Sequence, residues 1–139
     1  MVDVPDNLLY SKTHQWFDES SGKVGLTAYA AEQLGEISFV DVEGLDGAEV
    51  SQVEMDGDEP ASDPIDAVVE SSKAVGDVYS PVSGAVSEVN GDLFDFPEKV
   101  NEDPYGEGWL FAVDPSNLDA EKGNLLSADE YKSFIEGLE

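Results

Sequence analysis

The chain has no cysteine, no arginine and one histidine, and sets six lysines against 32 acidic residues over 139 positions. Without cysteine there can be no disulfide, thiol nucleophile, iron–sulfur cluster or cysteine-ligated zinc. With His14 as the sole imidazole, a HExxH zinc site or any multi-histidine metal centre is impossible. A Ser-His-Asp triad would have to use His14, and no G-x-S-x-G elbow is present. No G-x-x-x-x-G-K-[ST] phosphate loop occurs, and the glycines stand singly at turn-like positions. The shortage of basic residues excludes nucleic-acid binding, which needs Lys and Arg facing phosphates. No apolar run approaches the roughly 18 residues of a membrane span. The opening "MVDVPDNLLY" lacks both a basic n-region and an apolar h-region. The expectation is a cytoplasmic protein with no membrane partner.

What is abundant is negative charge. The formal net charge is −26, and the carboxylates are spread along the whole chain rather than gathered in a tail. In dilute buffer such charge pushes a compact state apart. At molar salt the Debye length is about 3 Å and most of that repulsion disappears. Carboxylates in place of surface lysines therefore suggest a halophilic source.

The length suits one domain, residues 1–139, able to bury about two-thirds of its unfolded surface. In "LLSADEYKSFIEGLE", Ser127 and Glu130 form a capping box, with Leu126 and Tyr131 at the hydrophobic-staple positions. Tyr131, Phe134, Ile135 and Leu138 then make one apolar stripe of a C-terminal helix. A second helix is expected at "TAYAAEQLG", with Thr27 as N-cap and Gly35 after its end. Most of the remainder reads as short strands between turns. "EISFVDV" alternates Ile37, Phe39 and Asp41 against Ser38, Val40 and Val42; "PIDAVVE" places Ile65, Ala67 and Val69 on one face; "WLFAV" is a buried-strand candidate. Asn90-Gly91 suits a type I′ hairpin, and the acidic 53–64 segment reads as an exposed loop. "GEISFV" and "GAVSEV" share Gly-x-[Ile/Val]-Ser-x-Val, an internal echo that suits a small β-sandwich with pseudo-symmetry.

Elimination leaves little catalytic chemistry. An EF-hand fails: counted from Asp56, the template's glycine position holds Ala61 and its final glutamate position Ala67. With 32 acids, no carboxylate pair stands out for glycosidase-type work. His14, beside Trp16, reads as a structural or cleft-lining residue rather than a base. There remains "VVESSKAVGDVYSPVSGAV", residues 68–86, where Ser71, Ser72 and Lys73 have the composition of a tight turn between two strands. An exposed, protonated lysine is a poor nucleophile and a poor Schiff-base catalyst. It is a good acceptor for an enzyme that acylates a protruding amine. Residue chemistry alone leaves three classes open: a modified carrier, an acidic interaction domain in which Lys73 merely solubilises the surface, and a Schiff-base enzyme.

"VESSKAVGDVYSPVSGAVSEVN" resembles the attachment region of the glycine cleavage system H proteins, a family of lipoyl carriers. "LLYSKTHQWF", "VGLTAYAAEQLGEISFVDV", "FPEKVNEDPYGEGWLFAV" and "LLSADEYKSFIEGL" follow the family in order, so the similarity spans nearly the whole chain. Biotin carriers differ in carrying a Met-Lys-Met type tip. The resemblance implies a mainly β fold: a barrel–sandwich hybrid of two small antiparallel sheets, with short peripheral helices and a C-terminal helix. It implies lipoate in amide linkage to Lys73 and no catalysis by the chain itself. The arm would accept the aminomethyl group of glycine at a pyridoxal-phosphate glycine decarboxylase and deliver it to a folate-dependent aminomethyltransferase. A flavin dihydrolipoyl dehydrogenase would reoxidise it. Glu70 would help the lipoate-attaching enzyme recognise the hairpin, Asp77 would contact the loaded arm, and His14 and Thr13 would line its approach. A related use would be relay of lipoyl groups to other enzymes. Three departures stand out: Gln15 where the family commonly has glutamate, Ser72 in place of a usual valine, and a longer acidic segment before Ile65.

Overall fold

The structure, a computed structural model, describes residues 3–138. Its strands are β1 Leu9–Tyr10, β2 Gln15–Phe17, β3 Lys23–Leu26, β4 Ile37–Asp41, β5 Glu49–Val50 and β6 Met55–Asp56. They continue as β7 Glu59–Pro60, β8 Val68–Ser71, β9 Val75–Gly76, β10 Gly84–Val89 and β11 Phe111–Pro115. The α-helices are α1 Ala28–Leu34, α2 Asp92–Asp95, α3 Lys99–Glu102, α4 Leu118–Glu121 and α5 Ala128–Glu136. None is long and apolar enough to cross a membrane.

Two antiparallel sheets enclose the main core. One runs β1-β2-β3-β11-β10-β5 and the other β4-β8-β9. Phe17, Val24, Phe111 and Val113 from the first meet Ile37, Val40 and Val69 from the second, all buried. Each such side chain contributes about 1.5–3 kcal/mol by leaving water. A second cluster lies outside the first sheet, where Trp16, on the opposite face from Phe17, joins Tyr10 and the α5 residues Tyr131 and Ile135. Tyr10 and Tyr131 stack with centroids 4.7 Å apart and planes 9° from parallel. The capping box of Ser127 and Glu130 forms as expected and starts α5. The apolar stripe ends at Ile135, because Leu138 falls beyond the helix and is exposed.

The internal echo has a structural counterpart. β4 and β10 lie in different sheets, yet each shifts register at its serine, between Ile37 and Phe39 and between Val86 and Glu88. In each, that serine hydroxyl donates across the ladder at 3.3 Å: Ser38 to the Glu70 carbonyl and Ser87 to the Ala112 carbonyl. The acceptor is in both cases the residue paired with the position after the serine. The glycine opening each echo has positive φ, 85° at Gly35 and 157° at Gly84, and a Cβ on Gly84 would lie 2.1 Å from the Asp114 carbonyl oxygen. The bulge corrects the simple alternation expected for β4. Ile37 and Val40 are both buried while Phe39 turns outward, because the extra residue at Ser38 changes the face.

Three other segments depart from expectation. Asn90-Gly91 makes no type I′ hairpin: Gly91 has φ −63° and leads into α2. The Asn90 amide instead donates to the Glu107 and Trp109 carbonyls, at 2.9 and 2.8 Å. The acidic loop contains a small hairpin, with Met55 opposite Pro60 and Asp56 opposite Glu59, turning at Gly57 with φ 67°. The short helices α2, α3 and α4 carry too little periodicity to be read from sequence.

Candidate functional site

β8 and β9 form the expected hairpin, with Val69 opposite Gly76 and Glu70 opposite Val75. Its two-residue tip is Ser72-Lys73. Tips of this length prefer primed turns with positive φ. Neither tip residue has positive φ, since His14 is the one non-glycine residue with it among those described. Ser71 compensates. Its N–H donates to the Ala74 carbonyl at 2.8 Å, and its hydroxyl oxygen accepts from the Lys73 and Ala74 N–H groups at 3.3 and 3.1 Å.

The inner side of the hairpin rests on the end of α1. A Cβ added at Gly76 would lie 3.0 Å from Leu34 Cδ1, and one added at Gly35 would lie 2.9 Å from Lys73 Cε. Gly35 is required by its φ of 85°, and the lysine stem crosses it. The stem is supported and the residue is exposed.

Among the described residues, Lys73 is also the one lysine engaged by neither a carboxylate nor a ring. Lys12 pairs with Asp58 at 2.8 Å, Lys122 with Glu19 at 3.1 Å, Lys132 with Asp6 at 3.8 Å, and Lys99 with Glu107. Lys23 Nζ sits 4.8 Å from the centroid of the Trp109 ring. In a chain with 32 acids, an ammonium left free is the feature that marks the site.

Glu70, half-buried on β8, and Asp77, exposed just past β9, share the hairpin and its continuation with Lys73. Thr13 and His14 do not. They sit in the β1–β2 turn at the other end of α1, where the Thr27 N–H donates to the His14 carbonyl at 3.0 Å. Seven helical residues, about 10 Å, separate that end from Gly35. His14 holds a left-handed backbone, φ 73°, among Tyr29, Tyr131 and Phe134. Its Nδ1 lies 2.8 Å from the Tyr131 hydroxyl, which in turn is 2.8 Å from the Thr27 hydroxyl. Burial lowers its pKa to about 4. Thr13 bonds to the Ser11 hydroxyl and to the Gln15 side-chain oxygen. Gln15 is fully buried, and its Nε2 finds no partner among the described residues. No cluster of metal-ligating side chains occurs among the described residues.

Sequence reasoning missed Ser71 as the clamp of the turn and Gly35 as the bed of the lysine. The first was within reach, since serine before a tight turn commonly bonds its backbone. The second depends on α1 meeting the hairpin, which no local pattern announces.

Residues 8–137 match the family model described as Glycine cleavage H-protein. The chain belongs to the glycine cleavage H-protein family. That family supplies the lipoyl carrier of the glycine cleavage system. The chain is 44% identical to the glycine cleavage system H protein of Rubrobacter xylanophilus, over 98% of each chain. It is 43% identical to the probable glycine cleavage system H protein of Haloarcula marismortui, over 96% of this chain and 98% of that one. The crystal structure of a glycine cleavage system H protein from Mycobacterium marinum superposes with TM-score 0.75 at 35% identity, covering 94% of this chain and 97% of that one. The two-sheet arrangement with peripheral helices is therefore the barrel–sandwich fold of that family, here with the 55–60 hairpin as an additional small sheet.

His14 generates a pH prediction. Its folded pKa of about 4 lies below the ordinary 6.5, so the unfolded chain binds the proton first as pH falls. Its contribution is complete above about 6.5 and is lost toward 4. Asparagine tolerates the left-handed backbone. In concentrated salt, the stability advantage of wild type over His14→Asn should shrink by roughly 2–3 kcal/mol between pH 7.5 and 4, measured by denaturant unfolding. Parallel pH profiles for the two proteins would contradict this assignment.

Proposed function

We propose that the chain, residues 1–139, is a single lipoyl-carrier domain that shuttles the aminomethyl group of glycine in the cytoplasm and catalyses nothing itself. The observation that carries this reading is the free, exposed amine of Lys73 on a clamped turn. The site fits the group: the amine is accessible, no carboxylate among the described residues competes within 4.0 Å, and the stem lies against Gly35. The Lys73 ammonium loses one proton to become the attacking amine and a second as the amide forms with the carboxyl carbon of lipoate, displacing the leaving group of the activated acid. Attachment also removes the lysine charge.

When attached, the lipoyl group supplies a dithiolane that takes up the aminomethyl group as the decarboxylase releases carbon dioxide. The chain's own residues present and shelter it. Ser71 fixes the tip so that Lys73 projects outward, and Glu70, three residues earlier, is a contact for the lipoate-attaching enzyme. Asp77 offers a carboxylate beside the hairpin to the cationic aminomethyl nitrogen. Thr13 and His14 border the far end of a path along α1. The partners on this reading are the pyridoxal-phosphate glycine decarboxylase, the folate-dependent aminomethyltransferase, the flavin dihydrolipoyl dehydrogenase and the attaching enzyme. We also read the charge as salt adaptation. Only four ion pairs occur among the described residues of a chain with net charge −26.

Protein made in a host competent for lipoylation should gain the mass of one lipoyl group, with peptide mapping placing it on Lys73. Lys73→Arg should lack the adduct and support no glycine decarboxylation above background, with an unchanged circular dichroism spectrum. An adduct on another lysine, or undiminished activity of the variant, would overturn the carrier reading. For salt, the thermal midpoint should rise between about 0.05 M and 2 M sodium chloride as repulsion is screened. A midpoint equally high in low salt removes the halophilic reading.

A further inference from the structure

The segment "FPEKVNEDPYGEGWLFAV" carries part of the family resemblance, yet none of its residues lies on the hairpin that bears Lys73. One of them reaches the lysine through a single intermediary. Cδ, Cε and Nζ of Lys73 lie 3.7, 2.9 and 3.5 Å from where a Cβ on Gly35 would stand, so the stem leaves the hairpin toward the end of α1. Gly35 is in turn gripped by the side chain of Asn101, in α3. Asn101 Nδ2 donates to the Gly35 carbonyl at 2.9 Å, and its Oδ1 accepts from the Ile37 N–H at 2.8 Å. The Gly35 N–H goes to the Ala31 carbonyl at 3.0 Å.

The clamp is specific to an amide. A side-chain amide offers a donor and an acceptor together, and here both partners are backbone groups of fixed polarity. It spans the joint between α1 and β4, where a glycine with φ 85° would otherwise leave the chain its widest conformational choice. Its root is firm, because Val100, next to Asn101, is fully buried in the main core. The chain of contact runs from the core through Asn101 to Gly35 and then to the stem of Lys73.

Resting on the reading of Lys73 as the attachment site, we propose that Asn101 is a positioning residue for acylation of that lysine. Acting through Gly35, it fixes the surface on which the stem lies and so the direction in which the amine is offered. A lysine stem in water samples several staggered rotamers about each bond. A stem bedded in advance loses less of that freedom when its amine reacts. The Ser71 clamp holds the backbone of the tip, and Asn101 holds the bed beneath the side chain.

The test is steady-state lipoylation of the full-length apo-protein by a purified lipoate–protein ligase with lipoate and ATP, followed by intact mass. Asn101→Ala should lower kcat about tenfold, because the freed stem offers the amine in the productive direction a small part of the time. KM for the apo-protein should stay within about twofold, since the hairpin itself is unchanged. A nuclear Overhauser contact between the Lys73 ε-methylene and the Gly35 α-protons should be present in wild type and lost in the variant. Asn90→Ala removes an amide that holds two carbonyls elsewhere in the fold. It should lower the thermal midpoint while keeping that contact and the wild-type kcat. Asn101→Ser, too short to bridge both groups, carries the test if Asn101→Ala folds poorly. Wild-type kcat in the Asn101 variants, with Lys73→Arg refractory to the ligase, overturns the inference and leaves the attachment reading standing. So does an equal loss of kcat in Asn90→Ala, which assigns the effect to stability alone, or a change confined to KM, which makes Asn101 a contact for the enzyme. Absence of the Overhauser contact from wild type overturns it as well. Lipoylation of Lys73→Arg at the wild-type rate overturns the attachment reading beneath it.

Discussion

A single ammonium in a chain of net charge −26 will be captured by a carboxylate unless the fold holds it away. The arrangement around Lys73 meets that constraint with short-range means. The Ser71 hydroxyl closes the turn without needing a positive φ at the tip, and Gly35 lets the end of α1 come close enough to bed the aliphatic stem. Long-range electrostatics would serve poorly, since the field of 32 acids attracts every lysine alike. Geometry decides instead. The other five lysines show the ordinary outcome, each held by an acid or an aromatic ring.

The support is built from a repeated device. β4 follows a glycine with positive φ and β10 opens on one, and each bulges at a serine tied to the partner strand. In β4 the bulge has a consequence for the site. It turns Ile37 and Val40 together into the core and leaves Phe39 outside, next to Glu70. The same irregularity therefore shapes the surface below the hairpin. At the opposite end of α1, half-buried His14 meets the Tyr131 hydroxyl, which in turn meets Thr27, the N-cap that starts the helix.

The sequence made local features legible and left contacts between distant segments hidden. The α5 capping box, the Thr27 cap, Gly35 after α1 and the Lys73 turn each rest on a few adjacent residues, and each is present. The serine bulges were hidden because strict alternation is the default for a strand and a bulge leaves no composition signature. Asn90-Gly91 misled because its amide is claimed by carbonyls 17 and 19 residues away. Lys73 and Glu70 were singled out by the motif that carries the family resemblance, and one hairpin holds both. The bed at Gly35 and the Phe39–Phe94 contact were not, since both require segments far apart in the chain to meet. Thr13 and His14, drawn into the same site by the resemblance, stand a helix length from Lys73.

The central claim is that Lys73 alone among the lysines has no acidic or aromatic partner among the described residues, and competitive acylation reads that directly. Treating the folded apo-protein with a limiting amount of an activated acetate ester, then mapping acetylated peptides, ranks the six amines by availability. The account predicts that Lys73 is acetylated first, ahead of Lys99 and Lys122 in their ion pairs and Lys23 on its tryptophan. Acetylation of Lys73 at the same rate as those partnered lysines, or more slowly, would contradict it.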